Sequence, residues 1–394
     1  MKKTLTLVLL LPFASFAQSS GPEKNNGFIE YQSKAVQNKE ESINEDWNTE
    51  QLQQLIISGA VNIKLWKHKI KANALIRHYQ SPVFGKEIDP TPYITIPPKL
   101  VGRNFFKSIH EKREDDYFTQ ASFNHFIYSW EDSDLKVNAG RIPILYGHGQ
   151  SLNPINPFNF NSALSNNYGI DQGNDGVELI LKKDPKLKLH IYLLADKSFT
   201  DYDERVTKTL VLRGEWKVDN ITEINYIFGE DQKRHKYGAE IKRNFAYGFG
   251  YLQGVRYSQR LDKNDASSEG LFHYILGYEV DLSQTWTSRL EIGKFENDPE
   301  DEDSSSQNFL PYESFASILN LFRINDEITT ELSLSTDTSS KASFYKVSIA
   351  YHNLKNLEVR LFSSGLSSEA KDDPEYAKQE LIPTDFGVAV RYNF

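Results

Sequence analysis

The chain has 394 residues, no cysteine, and a single methionine at its first position. Without thiols there can be no disulfide framework and no thiolate metal site, so the core is held by packing and hydrogen bonds alone. Long apolar runs are also missing. Beyond the N-terminal segment nothing approaches the ~20 consecutive apolar residues of a spanning helix, which rules out a helical membrane domain. Catalytic signatures are absent too: there is no GxSxG elbow, no HExxH, no P-loop and no dinucleotide glycine pattern. "GHGQS" places His148 three residues before Ser151, but no elbow surrounds that serine. The acidic run "DPEDED" at 298–303 lacks the glycine and terminal glutamate of an EF-hand and reads as a solvated loop. The nine histidines are scattered, so neither a metal nor a cofactor is expected. A net charge of -9 argues against a nucleic-acid partner.

What is present begins with "MKKTLTLVLLLPFASFAQ", where Lys2 and Lys3 precede an apolar stretch that closes on Ser15-Phe16-Ala17. This is the pattern of a secretory signal peptide over 1–17, cleaved after Ala17, leaving 18–394 as one exported domain. No linker divides that domain.

Two-residue alternation recurs along the whole of it. "KLKLHIYLL" sets Leu187, Leu189, Ile191 and Leu193 on one face, and "GLFHYILGYEV" sets Phe272, Tyr274, Leu276, Tyr278 and Val280 there. The chain ends "TDFGVAVRYNF", with Phe386, Val388, Val390, Tyr392 and Phe394 on one face and Arg391 and Asn393 on the other. About eighteen such strands are expected, with sixteen as the alternative count. They begin near Phe28, Ile57, Ile70, Tyr117, Leu135, Val177, Leu187, Val206, Ile221, Tyr237, Phe249, Phe272, Trp286, Phe315, Ile328, Tyr345, Leu357 and Phe386. Tight connections such as "KHK", "KDPK" and "HNLKN" alternate with long ones, for example 80–115, 143–173 and 296–309. Short turns at one end and long loops at the other, joining strands of roughly ten residues, are the signature of a transmembrane antiparallel β-barrel.

The aromatic final strand and this architecture resemble a Gram-negative outer-membrane β-barrel of the porin-like channel family. The resemblance implies an outer-membrane address, a lipid-facing exterior, and recognition of the strand ending in Phe394 by the barrel insertion machinery. A secreted soluble β-sandwich, barrel or propeller is the competing reading, since it alternates as well.

In this register Lys64, Arg77, Lys188, Arg213, Lys242, Arg256, Arg289, Lys346, Arg360 and Arg391 are expected to line the pore. Cations outnumber carboxylates on the expected inner wall, which leans selectivity toward anions. Equally open is a wall whose charges pair across strands and only solvate the interior.

The segment "GRIPILYGHGQSLNPINPFNFNSALSNNYGIDQGNDGVE", Gly140 to Glu178, is rich in Gly, Pro and Asn and reads as a loop. It resembles the element in several porin-like families where a loop after a strand folds inward to narrow the channel. That resemblance assigns Arg141, Tyr146, His148, Asn153, Asn156 and Asn159 to a constriction; an outer loop packed on the rim is the alternative.

The function these features imply is passive or facilitated passage of small hydrophilic solutes, with a lean toward anionic ones, through an outer-membrane channel, with no enzymatic activity. Export of an anionic polysaccharide, or a plugged barrel with an enzymatic, assembly or anchoring role, are the alternatives.

Overall fold

The computed structural model describes residues 27–37, 50–80, 110–114, 117–144, 146–150, 153–156, 173–197, 206–231, 234–258, 270–296, 314–338, 343–354, 356–367 and 384–394. The segment read as a signal peptide lies outside them.

Among the described residues the chain builds nineteen strands and no helix. They are β1 (Gly27–Gln37), β2 (Glu50–Leu65), β3 (His68–Gln80), β4 (His110–Glu114), β5 (Tyr117–Glu131) and β6 (Leu135–Ile142). Then come β7 (Asn174–Asp184), β8 (Leu187–Lys197), β9 (Val206–Lys217), β10 (Thr222–Asp231), β11 (Arg234–Phe245), β12 (Gly248–Tyr257) and β13 (Phe272–Ser283). The last six are β14 (Trp286–Phe295), β15 (Ser314–Arg323), β16 (Ile328–Asp337), β17 (Ser343–Leu354), β18 (Leu357–Ser367) and β19 (Thr384–Asn393).

All strands but β4 form a closed antiparallel barrel of 18, each paired with the next and β19 returning to β1. Closure leaves no strand edge along the wall, which is the condition for a sheet to cross lipid. The seam joins the first and last strands: Gly27 N donates to Phe394 O at 3.1 Å, and Phe394 N to Gly27 O at 2.9 Å. A Cβ on Gly27 would lie 2.5 Å from the Phe394 ring, so glycine there is the seat of the terminal aromatic.

On most of the barrel strands one face is apolar and exposed. Leu193, Leu210, Leu252, Leu276, Leu290, Ile292 and Leu361 stand outward without protein covering them. Aromatic rings gather toward the two rims: Trp66, Trp216, Tyr247 and Trp286 at one, Phe228, Tyr237 and Phe272 at the other. An apolar band between aromatic girdles is the exterior of a membrane barrel.

The tight connections expected from the sequence join consecutive strands, from β2–β3 to β17–β18, and all lie at one rim. In the turn before β10, Asp219 accepts from the backbone N–H of Ile221 at 2.8 Å and of Thr222 at 2.7 Å. These bonds, that from Ile221 foremost, hold its carboxyl below the usual range. Asn356 sits at φ 69°, which asparagine tolerates, whereas Trp66 at φ 54° is strained.

Strand starts agree with the sequence reading except in two places. β2 begins at Glu50 rather than near Ile57, because pairing with β1 continues through Gln51, Leu52, Gln53 and Gln54. β4 falls in a stretch read as loop; it pairs with β5 alone among the described strands, opposite Tyr117–Ala121.

Candidate pore and constriction

The inner wall departs from regularity where β6 ends. An extra residue in β5 shifts the β3–β5 register between Asn73 and Ala74, and Gly140 takes φ 118°. A Cβ at Gly140 would sit 2.1 Å from Phe126 O, so only glycine fits. The displaced carbonyls of β5 are then taken by the two ends of the following loop. Arg141 Nη1 donates to Phe123 O at 2.6 Å, and Gly173 N donates to Asn124 O at 3.0 Å. Arg141 also grips Asp175 with two bonds, Nε to Oδ1 at 2.8 Å and Nη2 to Oδ2 at 3.1 Å, both residues buried. Arg141 is therefore a clamp in the wall at the base of the loop, not a group presented to the channel, which corrects its placement in a constriction.

From this base the chain turns into the barrel. Ile144, Tyr146 and Ile155 form one buried apolar cluster with Tyr192 and Leu194 of β8, Val211 of β9, Ile227 of β10, Val255 and Tyr257 of β12, and Leu271. Those strand residues alternate with the exposed outer face, so the cluster lies inside the barrel. Asn153 and Asn156 do not face the channel either. The Asn153 amide donates to Tyr146 O at 2.7 Å and that of Asn156 to Ile144 O at 2.8 Å, folding the loop onto itself. Gly147, at φ 82°, leaves room for the Asn153 side chain.

The next residues dock on two wall carboxylates. Glu240 of β11 accepts from His148 N at 2.8 Å and meets His148 Nδ1 at 2.8 Å. Glu291 of β14 accepts from Gln150 N at 2.8 Å and from the Tyr251 hydroxyl. Arg289 Nη1 donates to His148 O at 3.0 Å. Tyr146 lies under the Arg213 guanidinium, 4.8 Å from ring centroid to Cζ. Tyr146 and His148 thus sit within the barrel; Asn159 lies outside the described residues. Glu240 and Glu291, which carry the loop, are ordinary alternating glutamates in the sequence, and nothing in their spacing marks them as anchors.

The remaining cations take three kinds of place. Lys188 pairs with Glu215 at 3.0 Å, Lys346 with Glu331 at 3.0 Å, Arg289 with Glu279, Arg360 with Glu358, and Arg391 with Glu30. Arg213 donates to Asn225 at 2.9 Å, and Asn225 in turn to Glu240 at 3.2 Å. Lys242 lies 4.4 Å from the centroid of the inward Phe249 ring. Lys64 is inward and exposed beside a tight turn, and Arg77 is inward and buried, facing Gln120 and Ile56 across its two ladders.

Arg256 is a correction. On β12 the buried residues are Tyr251, Gln253, Val255 and Tyr257, while Leu252 and Arg256 are exposed on the outer face. The inner face of β12 is apolar because the loop packs on it, so hydrophobic alternation assigned this strand's faces the wrong way round. Arg256 stands at the outer rim opposite Phe272.

No protein-family model matches the sequence, and no curated protein matches it. The fold does match solved structures. A BenF-like porin from Pseudomonas fluorescens superposes with a TM-score of 0.57 at 9% identity, covering 94% of this chain and 98% of that one. OccK7 (OpdD) of Pseudomonas aeruginosa gives 0.56 at 10% identity, with 94% and 98% covered. OccAB4 of Acinetobacter baumannii gives 0.54 at 8% identity, with 94% and 98% covered. At these identities what is shared is the fold, a closed barrel also found in a porin.

Proposed function

We propose that this protein is an outer-membrane channel of a Gram-negative bacterium, passing small hydrophilic solutes through a lumen narrowed by an inward loop. The observation that carries the reading is that loop residues 144, 146–150 and 153–156 dock inside a closed barrel, on Glu240 and Glu291, while the exterior stays apolar. An apolar exterior suits lipid, and a polar, charge-paired interior suits water and solute. No catalytic chemistry is required by this arrangement. The final strand, closing the seam at Phe394, is the element the barrel insertion machinery would read.

A preference for anions is the finer reading, and Lys64 and Lys242 favour it. Both point inward and neither is held in an ion pair among the described residues, although Glu223 stands opposite Lys242 across the β10–β11 ladder and Glu131 lies near Lys64. Most other inward cations are neutralised by a glutamate, which limits the size of any such preference.

Purified protein in planar bilayers tests the channel. Discrete conductance steps, with reversal potentials displaced in a salt gradient toward anion selectivity, are expected. A barrel that fractionates with outer membranes yet never conducts would overturn the channel reading and favour a plugged barrel.

A further inference from the structure

The dock that holds the loop does not end at Glu240 and Glu291. Inward side chains extend it into one polar chain along the wall from β6 to β14, and two of the nine histidines lie on it. At one end His190 of β8 meets Glu178 of β7 at 2.9 Å through Nδ1 and Glu215 of β9 at 3.8 Å through Nε2. Asn138 of β6 donates to the second oxygen of Glu178 at 2.6 Å. Glu215 is also held by Lys188 at 3.0 Å and by Arg213 at 3.5 Å. Arg213 donates to Asn225 of β10, and Asn225 donates onward to Glu223 and Glu240, each at 3.2 Å.

His148 of the loop stands at the other end, against Glu240. Beside its imidazole lie the Phe249 and Tyr251 rings of β12, at 5.5 and 6.0 Å between centroids. Lys242 and Arg289 flank the same Phe249 ring, Arg289 is held by Glu279 of β13, and Tyr251 donates to Glu291. His190 reaches the loop through a stack of rings: it lies on Tyr192 at 6.0 Å, and Tyr192 lies on Tyr146 at 6.4 Å.

The charges along this chain balance only with protons on the imidazoles. Its carboxylates are Glu178, Glu215, Glu223, Glu240, Glu279 and Glu291, and its permanent cations are Lys188, Arg213, Lys242 and Arg289. With both imidazoles neutral, six negative groups face four positive ones; with both charged, the two signs are equal. Histidine is the side chain that ordinarily changes charge between pH 5 and 8. A proton added to His148 leaves Nδ1 donating to Glu240 and turns that bond into an ion pair, which is stronger than a neutral bond. A proton added to His190 neutralises the Glu178 and Glu215 side of the wall, leaving Arg213 to Asn225 and to the Tyr146 ring of the loop.

We propose that the dock is a proton-operated latch, which His148 and His190 tighten in mild acid and loosen in mild alkali, so that pH sets how firmly the loop narrows the lumen. The inference rests on the reading of the lumen as a solute path narrowed by this loop.

The test follows the loop directly. Because the natural chain has no cysteine and Gln150 is exposed, Gln150→Cys carries a single nitroxide label. Its room-temperature electron paramagnetic resonance spectrum, recorded on the folded barrel in detergent, should be immobilised at pH 5.5 and more mobile at pH 8.5. His148→Gln keeps a donor for Glu240 without the charge, and should hold the label at its alkaline mobility at both pH values. The double variant with His190→Gln should show no pH response, whereas His68→Gln, on the outer face beside a tight turn, should respond as wild type does. In planar bilayers, excursions of the open-channel current should be about tenfold rarer at pH 5.5 than at pH 8.5, the difference between a charged and a neutral hydrogen bond. Equal mobility at the two pH values in the wild type, a looser label in acid, or a response that survives in His148→Gln or in the double variant would each overturn the latch. Loss of the response in His68→Gln would overturn it as well, by placing its source outside the dock. If the wild-type barrel never conducts, the channel reading fails and the label alone decides the latch.

Discussion

Two sectors of the same barrel wall use similar residues to different ends. On β8–β14 the inward positions include the large apolar cluster under the loop, with Glu240 and Glu291 spent on the loop that docks there. On β15–β18 they include Ser317, Ser333, Ser335, Ser348 and Ser364 beside Phe344 and Phe362, and the ion pairs close locally, Lys346 on Glu331 and Arg360 on Glu358. The lesson is that an inward charge has no fixed meaning. Glu240 and Glu331 are each one residue of an alternating strand, yet the first carries a constriction and the second steadies its neighbour.

The contrast is broken most severely at the base of the loop. Arg141→Met leaves Asp175 buried without its cation, which costs roughly 3–5 kcal/mol for a buried pair. Urea denaturation followed by heat-modifiable gel migration should show a large loss of stability. Arg391→Gln, at the more open pair with Glu30, should lose clearly less; equal losses would mean that the clamp has no special role.

The next effect is on the loop itself. Glu240→Ala removes the acceptor of His148 N and the partner of its imidazole, leaving donors unsatisfied at a cost of roughly 1–3 kcal/mol. Single-channel records should become noisy as the loop leaves the wall, while Glu331→Ala in the other sector should not add such noise. Since the natural chain has no cysteine, Gln150→Cys and Glu291→Cys provide its only thiols. A short bis-maleimide joining them should quiet a noisy Glu240→Ala channel, and failure to do so would dissociate the noise from the loop.

Selectivity should move less. Arg213→Gln and Arg289→Gln each remove an inward charge and should shift the reversal potential toward cations, with the shift shrinking as salt shortens screening to about 3 Å at 1 M. Arg256→Gln, on the outer face, should shift nothing, and a comparable shift there would return Arg256 to the lumen.

Asp219→Asn, in an exposed turn, should do least. Its folded carboxyl is depressed, so the stability it lends is present above the unfolded carboxylate range and is lost as pH falls through its folded value. Wild type and variant should therefore differ slightly at neutral pH and converge in acid. A gap that widens in acid would contradict the assignment.

The strands were legible because lipid outside and water inside impose a period of two on ten residues at a time, as in Phe272, Tyr274, Leu276 and Tyr278. The tight turns were legible for the same reason, being the breaks in that period. β12 misled because a second apolar partner, the loop, supplies Tyr251, Val255 and Tyr257 with a greasy neighbour on the water side. Alternation reports that one face is covered but not by what. The Gly, Pro and Asn of 140–178 announced a loop, yet the roles of Asn153 and Asn156 as internal staples depend on hydrogen bonds that spacing does not encode. Glu240 and Glu291 were invisible as anchors since any inward glutamate has the same local pattern.

The seam between β1 and β19 bears on the order of assembly. Its pairs, such as Glu30 with Arg391, are separated by 361 positions along the chain, so the entropy of bringing them together is recovered only after nearly everything between them is in place. Until then the molecule is an open sheet with two bare edges, each a template for another chain. Zipping Phe394 over Gly27 removes both edges in one event, so a change at that small contact is expected to act on the yield of closed barrels and on aggregation before it acts on transport.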